Sequence, residues 1–115
     1  MARPSYMVVD LAALIANYQW ACQLAPHAQT MAVVKANAYG HGAVACARAL
    51  QPSAPAYAVA CIEEAIQLRN LFIKKKILLL EGILEPNEIA DVSFYNLDIV
   101  IHAFWQLEIL EKKNT

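Results

Sequence analysis

Four short apolar runs, 31–34 (MAVV), 57–60 (YAVA), 77–80 (ILLL) and 98–101 (DIVI), recur along the chain, and each is followed by a stretch with helical spacing. Runs of this kind suit strands buried on both faces, whereas apolar residues three and four apart suit the helices that cover such strands. Val44 and Ala47 fall on one face of 43–50, and Ile62, Ala65 and Ile66 on one face of the segment ending near Asn70. A third helix is expected to open at Pro86, where a missing N–H costs nothing, and a fourth to run over 104–112. Repeated strand and helix units with short connections predict a parallel sheet with right-handed crossovers. Periodicity by itself leaves two α/β architectures open, a doubly wound sheet and part of a β/α barrel. A whole barrel takes eight units and about 250 residues, so a chain of 115 residues with four units corresponds to half of one.

Ahead of the first unit, a short strand is expected over 6–9, and Asp10 is placed to cap a helix carrying Leu11, Leu14, Ile15, Tyr18 and Cys22 on one face. With 59% apolar residues the chain has material for a sizeable core. Nine basic residues against ten acidic ones leave a net charge of −1, which gives no basis for a nucleic-acid or membrane partner. The apolar runs fall short of the roughly 20 residues that span a bilayer, and Asp10 interrupts the apolar stretch near the N-terminus, so a cytoplasmic protein without a signal peptide is expected. Cys22, Cys46 and Cys61 form no C-x-x-C pair and read as reduced core residues. His27, His41 and His102 lack metal-ligand spacing and read as surface or turn residues, so no metal is expected.

Chemistry concentrates in 32–42 (AVVKANAYGHG), where a lysine ends an apolar strand and a loop with two glycines leads into a helix. In either architecture ligands sit outside the carboxyl ends of the strands, which is where Lys35 falls. Apolar neighbours such as Val33 and Val34 favour a neutral amine, the form that attacks an aldehyde to make a Schiff base. Tyr39 stands four residues on, where its hydroxyl is able to donate to a phosphate near the start of the next helix. Gly40 and Gly42 would allow close backbone approach. Read without further context, the same residues also fit a lysine reaching into water, a half-buried tyrosine and an ordinary turn. Other polar groups have plain readings: Glu63 and Glu64 suit the first turn of a helix, Lys74 to Lys76 a solvated connection, and Phe104 with Trp105 packing at the start of the last helix.

The segment 32–42 resembles the pyridoxal-phosphate attachment segment of the alanine racemase family at every position. Segments 9–11 (VDL), 58–60 (AVA) with 63–65 (EEA), and 78–82 (LLLEG) also resemble family segments, in the same order, so the likeness runs through essentially the whole chain. It implies a fold type III enzyme in which 1–115 forms the N-terminal half of the cofactor-binding β/α-barrel domain, with the C-terminal β-rich domain lying beyond it. It further implies that Lys35 carries pyridoxal 5′-phosphate and is the base on the D-alanine side, that Tyr39 binds the cofactor phosphate, and that Val33, Leu78 and Leu80 line the pocket. The implied reaction is interconversion of L-alanine and D-alanine, supplying D-alanine for peptidoglycan, in an enzyme that is a homodimer at full length. The opposite-face tyrosine from the partner subunit and the arginine at the pyridine nitrogen belong to the part of the family not represented here, so the 115-residue chain alone is expected to be inactive. A racemase of serine or another small amino acid, and a non-enzymatic pyridoxal-phosphate-binding protein, are the alternative readings.

Overall fold

Asp10 opens the first helix as its sequence position predicts. Its carboxylate accepts a hydrogen bond from the Ala13 N–H at 3.0 Å and caps α1 (Leu11–Leu24). A computed structural model describes residues 8–113 of the chain. The strand expected over 6–9 lies partly outside the described residues. Val8 and Val9, which lie within them, are not in a strand, and Val8 is exposed. Leu11, Leu14, Ile15 and Tyr18 of α1 pack against the core along one face, as their spacing predicts. The Tyr18 hydroxyl donates to the Thr30 carbonyl at 2.7 Å, which ties α1 to the approach of the first strand.

The strands are β1 (Ala32–Val33), β2 (Ala56–Val59), β3 (Lys76–Leu79) and β4 (Asp98–Ile99). Between them run a short left-handed turn, α2 (Lys35–Tyr39), and the helices α3 (Ala43–Leu50), α4 (Ile62–Asn70) and α5 (Glu88–Phe94), and α6 (Phe104–Lys113) follows β4. All pairings are parallel and the order is β1-β2-β3-β4. A doubly wound sheet reverses its strand order at a switch point. Strictly sequential order is that of a barrel arc, so the topology chooses between the two architectures that periodicity leaves open.

Register assigns the two faces of the arc. Ala32, Tyr57 and Ile77 form one row and are buried, with the Tyr57 hydroxyl donating to the Ala47 carbonyl of α3 at 2.7 Å. Burial, with the neighbouring Tyr18 adding to it, pushes the Tyr57 phenol up to about 12. Helices therefore cover this face: Cys46, Ala47 and Leu50 of α3 and Ile62, Ala65 and Leu68 of α4 supply most of the cover. The next row, Val33, Ala58, Leu78 and Asp98, lies on the opposite face, where Val33 is 40% exposed. In a barrel this second face is the interior.

Two details of the helices differ from expectation. The helix after β3 starts at Glu88 rather than Pro86, because the Glu88 carboxylate accepts the N–H groups of Leu84 and Glu85 and closes a turn ahead of the helix. At the start of α6, Phe104 does not pack; it is 84% exposed, and Gln106 is the fully buried side chain. Gln106 donates to the carbonyls of Glu81 and Ile83 and accepts from the His102 N–H, sewing the loop after β3 to the loop after β4.

At the amino-terminal rim of the sheet Arg69 gathers the approaches to β3 and β4. The Arg69 guanidinium donates to the carbonyls of Ile73 and Lys75, both at 2.7 Å, of Tyr95 at 2.8 Å and of Asn96 at 3.0 Å. Lys75 is not simply solvated, since its ammonium donates to the Ala54 carbonyl at 3.0 Å. Hydrogen bonds from a charged group contribute roughly 1.5–3 kcal/mol each but overlap when they share a donor. Arg69→Ala is therefore expected to destabilise the chain by about 3–4 kcal/mol, measured as a lowered urea midpoint. A loss below about 1 kcal/mol would show that water replaces the guanidinium.

Candidate cofactor site

Lys35 follows β1 at the carboxyl end of the sheet, as its position in the sequence predicts. Pairing continues one residue past the strand, with the Val34 N–H donating to the Ala58 carbonyl at 2.9 Å, and the extended backbone stops there, at ψ 23° for Val34. The same end of β3 continues through the Leu80 N–H, which donates to the Val59 carbonyl at 2.8 Å. Alternation along the strands places Val33, Leu78 and Leu80 on the interior face, below the rim that carries Lys35. These residues are less enclosed than their apolar character suggests. Leu78, Leu80 and Lys35 are half-buried and Val33 is exposed, because the helices cover only the other face.

The loop that carries Lys35 has an unusual backbone. Ala36, Asn37, Ala38 and Tyr39 have φ of 53–56°, so four consecutive residues other than glycine occupy the left-handed region. For L-residues this costs roughly 1–2 kcal/mol per residue. Stored strain of this kind persists only where surrounding contacts over-determine it. Here the Gly40 N–H donates to the Ala36 carbonyl at 3.1 Å and the Gly42 N–H to the Asn37 carbonyl at 2.8 Å, while the buried Ala38 methyl anchors the turn in the core. The Asn37 side-chain oxygen accepts from the Ala43 N–H at 2.9 Å. Gly40 and Gly42 have positive φ, and a Cβ on either would meet no atom within 4 Å, so it is backbone conformation that calls for glycine at both.

Tyr39 is 62% exposed, more open than a half-buried aromatic. It shares a cleft of about 380 Å³ with Val33, Ala38, His41 and residues of α1 and α3, at the β1 edge of the sheet. Lys35, Leu78 and Leu80 do not line that cleft. The sequence-derived residues thus divide into a group at the interior face and rim, Val33, Leu78, Leu80 and Lys35, and the pair Val33 and Tyr39 at the edge. The start of α3 is also less open to an anion than expected, because Asn37 already occupies its first N–H.

Glu64 joins this loop to the neighbouring strand, with one carboxylate oxygen accepting from the Ala36 N–H and the other from the Ala60 N–H, both at 2.7 Å. Sequence spacing marks Glu64 only as a first-turn acidic residue, since a contact across 28 residues leaves no local signal. Nearby, the Glu63 carboxyl is held low by its own backbone N–H and by Cys61, and burial pushes the Cys61 thiol up.

The arc and its rim define a class: a part of a β/α barrel with a lysine at the carboxyl end of the first strand of its sheet. The family model for the alanine racemase N-terminal domain matches residues 9–115, and the chain belongs to that family. It is 51% identical over 110 residues to a catabolic alanine racemase of Pseudomonas putida, covering 96% of this chain and 30% of the relative. The biosynthetic alanine racemase of Pseudomonas aeruginosa superposes with a TM-score of 0.87 at 47% identity, over 90% of this chain and 29% of that one. An alanine racemase of Bartonella henselae with covalently bound pyridoxal phosphate superposes with a TM-score of 0.82 at 34% identity, over 93% of this chain and 33% of that one. The chain thus spans about 30% of the length of the curated relatives it matches.

Proposed function

We propose that this chain provides the coenzyme-anchoring part of an alanine racemase, with Lys35 as the covalent anchor for pyridoxal 5′-phosphate. The observation that carries the reading is Lys35 at the carboxyl end of β1, on a strained loop held from several sides, within a chain of the alanine racemase family. The available groups suit this coenzyme: a primary amine for its aldehyde, an apolar surface from Val33, Leu78 and Leu80 for its ring, and the Tyr39 phenol for its phosphate. When bound, pyridoxal phosphate supplies the electron sink that lets a Cα proton leave an amino acid. The Lys35 Nζ takes and returns that proton on one face of Cα, the D-alanine side. Tyr39 holds the phosphate through its hydroxyl, and the three apolar residues limit water around the ring. The opposite-face base comes from outside this segment.

The substrate in this reading is alanine and the product its mirror image, for use in peptidoglycan. The assembly is a homodimer, and the exposed Phe94 and Phe104 offer apolar surface for further chain to cover. The location is cytoplasmic; among the described residues no helix is long and apolar enough to cross a membrane.

A chimaera tests the reading. Residues 9–115 replace the matching segment of the Pseudomonas putida relative, and conversion of L-alanine is followed with a D-amino-acid oxidase. Turnover within about tenfold of the relative is expected, because half the segment is already identical and cores tolerate volume-conserving exchange. A folded chimaera that binds the coenzyme and fails to racemise alanine would overturn the substrate assignment.

A further inference from the structure

We propose that Glu64 is a positioning residue for Lys35, a clamp that fixes the loop on which the amine is carried. The inference rests on the reading of Lys35 as the coenzyme anchor. Glu64 sits in the first turn of α4, whose N-cap, Cys61, makes no side-chain capping bond. One carboxylate oxygen reaches back past the N-cap and accepts from the Ala60 N–H at 2.7 Å, one residue ahead of the N–H that a capping-box glutamate takes. The other oxygen does something the helix does not need. It accepts, also at 2.7 Å, from the N–H of Ala36, the residue directly after Lys35 and the first of the left-handed turn.

The peptide plane that Glu64 holds is the one joining Lys35 to Ala36, so it fixes the Cα–C bond of Lys35 and, together with the strand that holds the other side, narrows the direction in which the side chain leaves the backbone. Among the described residues neither a hydrogen bond nor an ion pair holds the Lys35 ammonium itself. Its aim therefore comes from the backbone. Reactive groups held by supporting contacts lose rate steeply when displaced, by about 100-fold for 1 Å. A carboxylate is the one side chain here with two acceptor oxygens able to serve both N–H groups, whereas a carboxamide presents one acceptor and one donor.

The test uses the 115-residue chain and its variants Glu64→Gln and Glu64→Asp, with pyridoxal phosphate as the probe. The second variant retains charge but is too short to span both N–H groups. Three quantities are read: amide exchange at Ala36, borohydride-trapped coenzyme at Lys35, and the visible circular dichroism that the protein induces in the bound coenzyme. Arg69→Gln serves as the control for a general loss of stability. Both Glu64 variants should speed exchange at Ala36 at least about tenfold and cut the induced dichroism per trapped coenzyme at least about fivefold. The control should lower stability and leave the dichroism per trapped coenzyme unchanged. Unchanged dichroism and Ala36 exchange in both variants would overturn the proposal, as would an equal loss in the control. If the parent chain traps no coenzyme at Lys35, the anchor reading fails, and Ala36 exchange still decides whether the clamp exists.

Discussion

Lys35→Ala in the chimaera with the Pseudomonas putida relative is expected to abolish borohydride-trapped coenzyme and to lower alanine racemisation at least about 1,000-fold. The size follows from the two tasks assigned to one amine, since it anchors the coenzyme and moves the proton on one face of Cα. Loss of one member of a set that acts together removes most of the rate. Stability should fall little, because Lys35 is only half-buried and lies at the rim. Thermal unfolding beside the activity assay separates the two effects. Activity within tenfold of the parent would show that another group serves as base.

Gly82→Ala is expected to unfold most of the chain. Gly82 has φ +68°, and a Cβ there would collide with the Val100 carbonyl oxygen and stand 2.8 Å from the Gln106 amide nitrogen. Val100 is held by its own N–H, which donates to the Leu79 carbonyl at 3.1 Å, so it cannot retreat without loosening the junction of β3 and β4. Gln106 is equally committed, through its bonds to Glu81, Ile83 and His102. Overpacking against backbone and stripping a buried amide of its partners add to a loss of about 3–5 kcal/mol, a large share of the stability of a small domain. Urea unfolding followed by circular dichroism measures it. A midpoint equal to that of the parent would mean that the loops after β3 and β4 separate at little cost.

Strands are legible as continuous apolar runs, of which Tyr57 and Ile77 are buried members, and helices because burial of one face imposes a period. That pattern does not separate a barrel from a doubly wound sheet; the sequential order of the strands does. Features built by contacts between distant segments left no local mark. The left-handed turn runs against the preference of alanine for right-handed helix, and Glu64 reads as an ordinary first-turn acid until Ala36 is seen beside it. Arg69 and Gln106 look like exposed polar residues of amphipathic helices, yet Arg69 gathers carbonyls from two loops and Gln106 joins two loops by donating to carbonyls of one and accepting an N–H of the other. Val33 and Phe104 show the opposite error: apolar character predicts burial, but the face each occupies is uncovered among the described residues. At the site, Lys35 was found where a motif and a strand end coincide, whereas the support that aims it had to be seen in three dimensions.

Lys35 is proposed as the residue to which pyridoxal phosphate attaches. Incubating the chain with the coenzyme, reducing with borohydride and mapping the modified peptide by mass spectrometry tests it most directly. Modification of the peptide containing Lys35, and its loss in Lys35→Ala, are expected. Modification chiefly at Lys74, Lys75 or Lys76, or labelling that persists unchanged in Lys35→Ala, would contradict it.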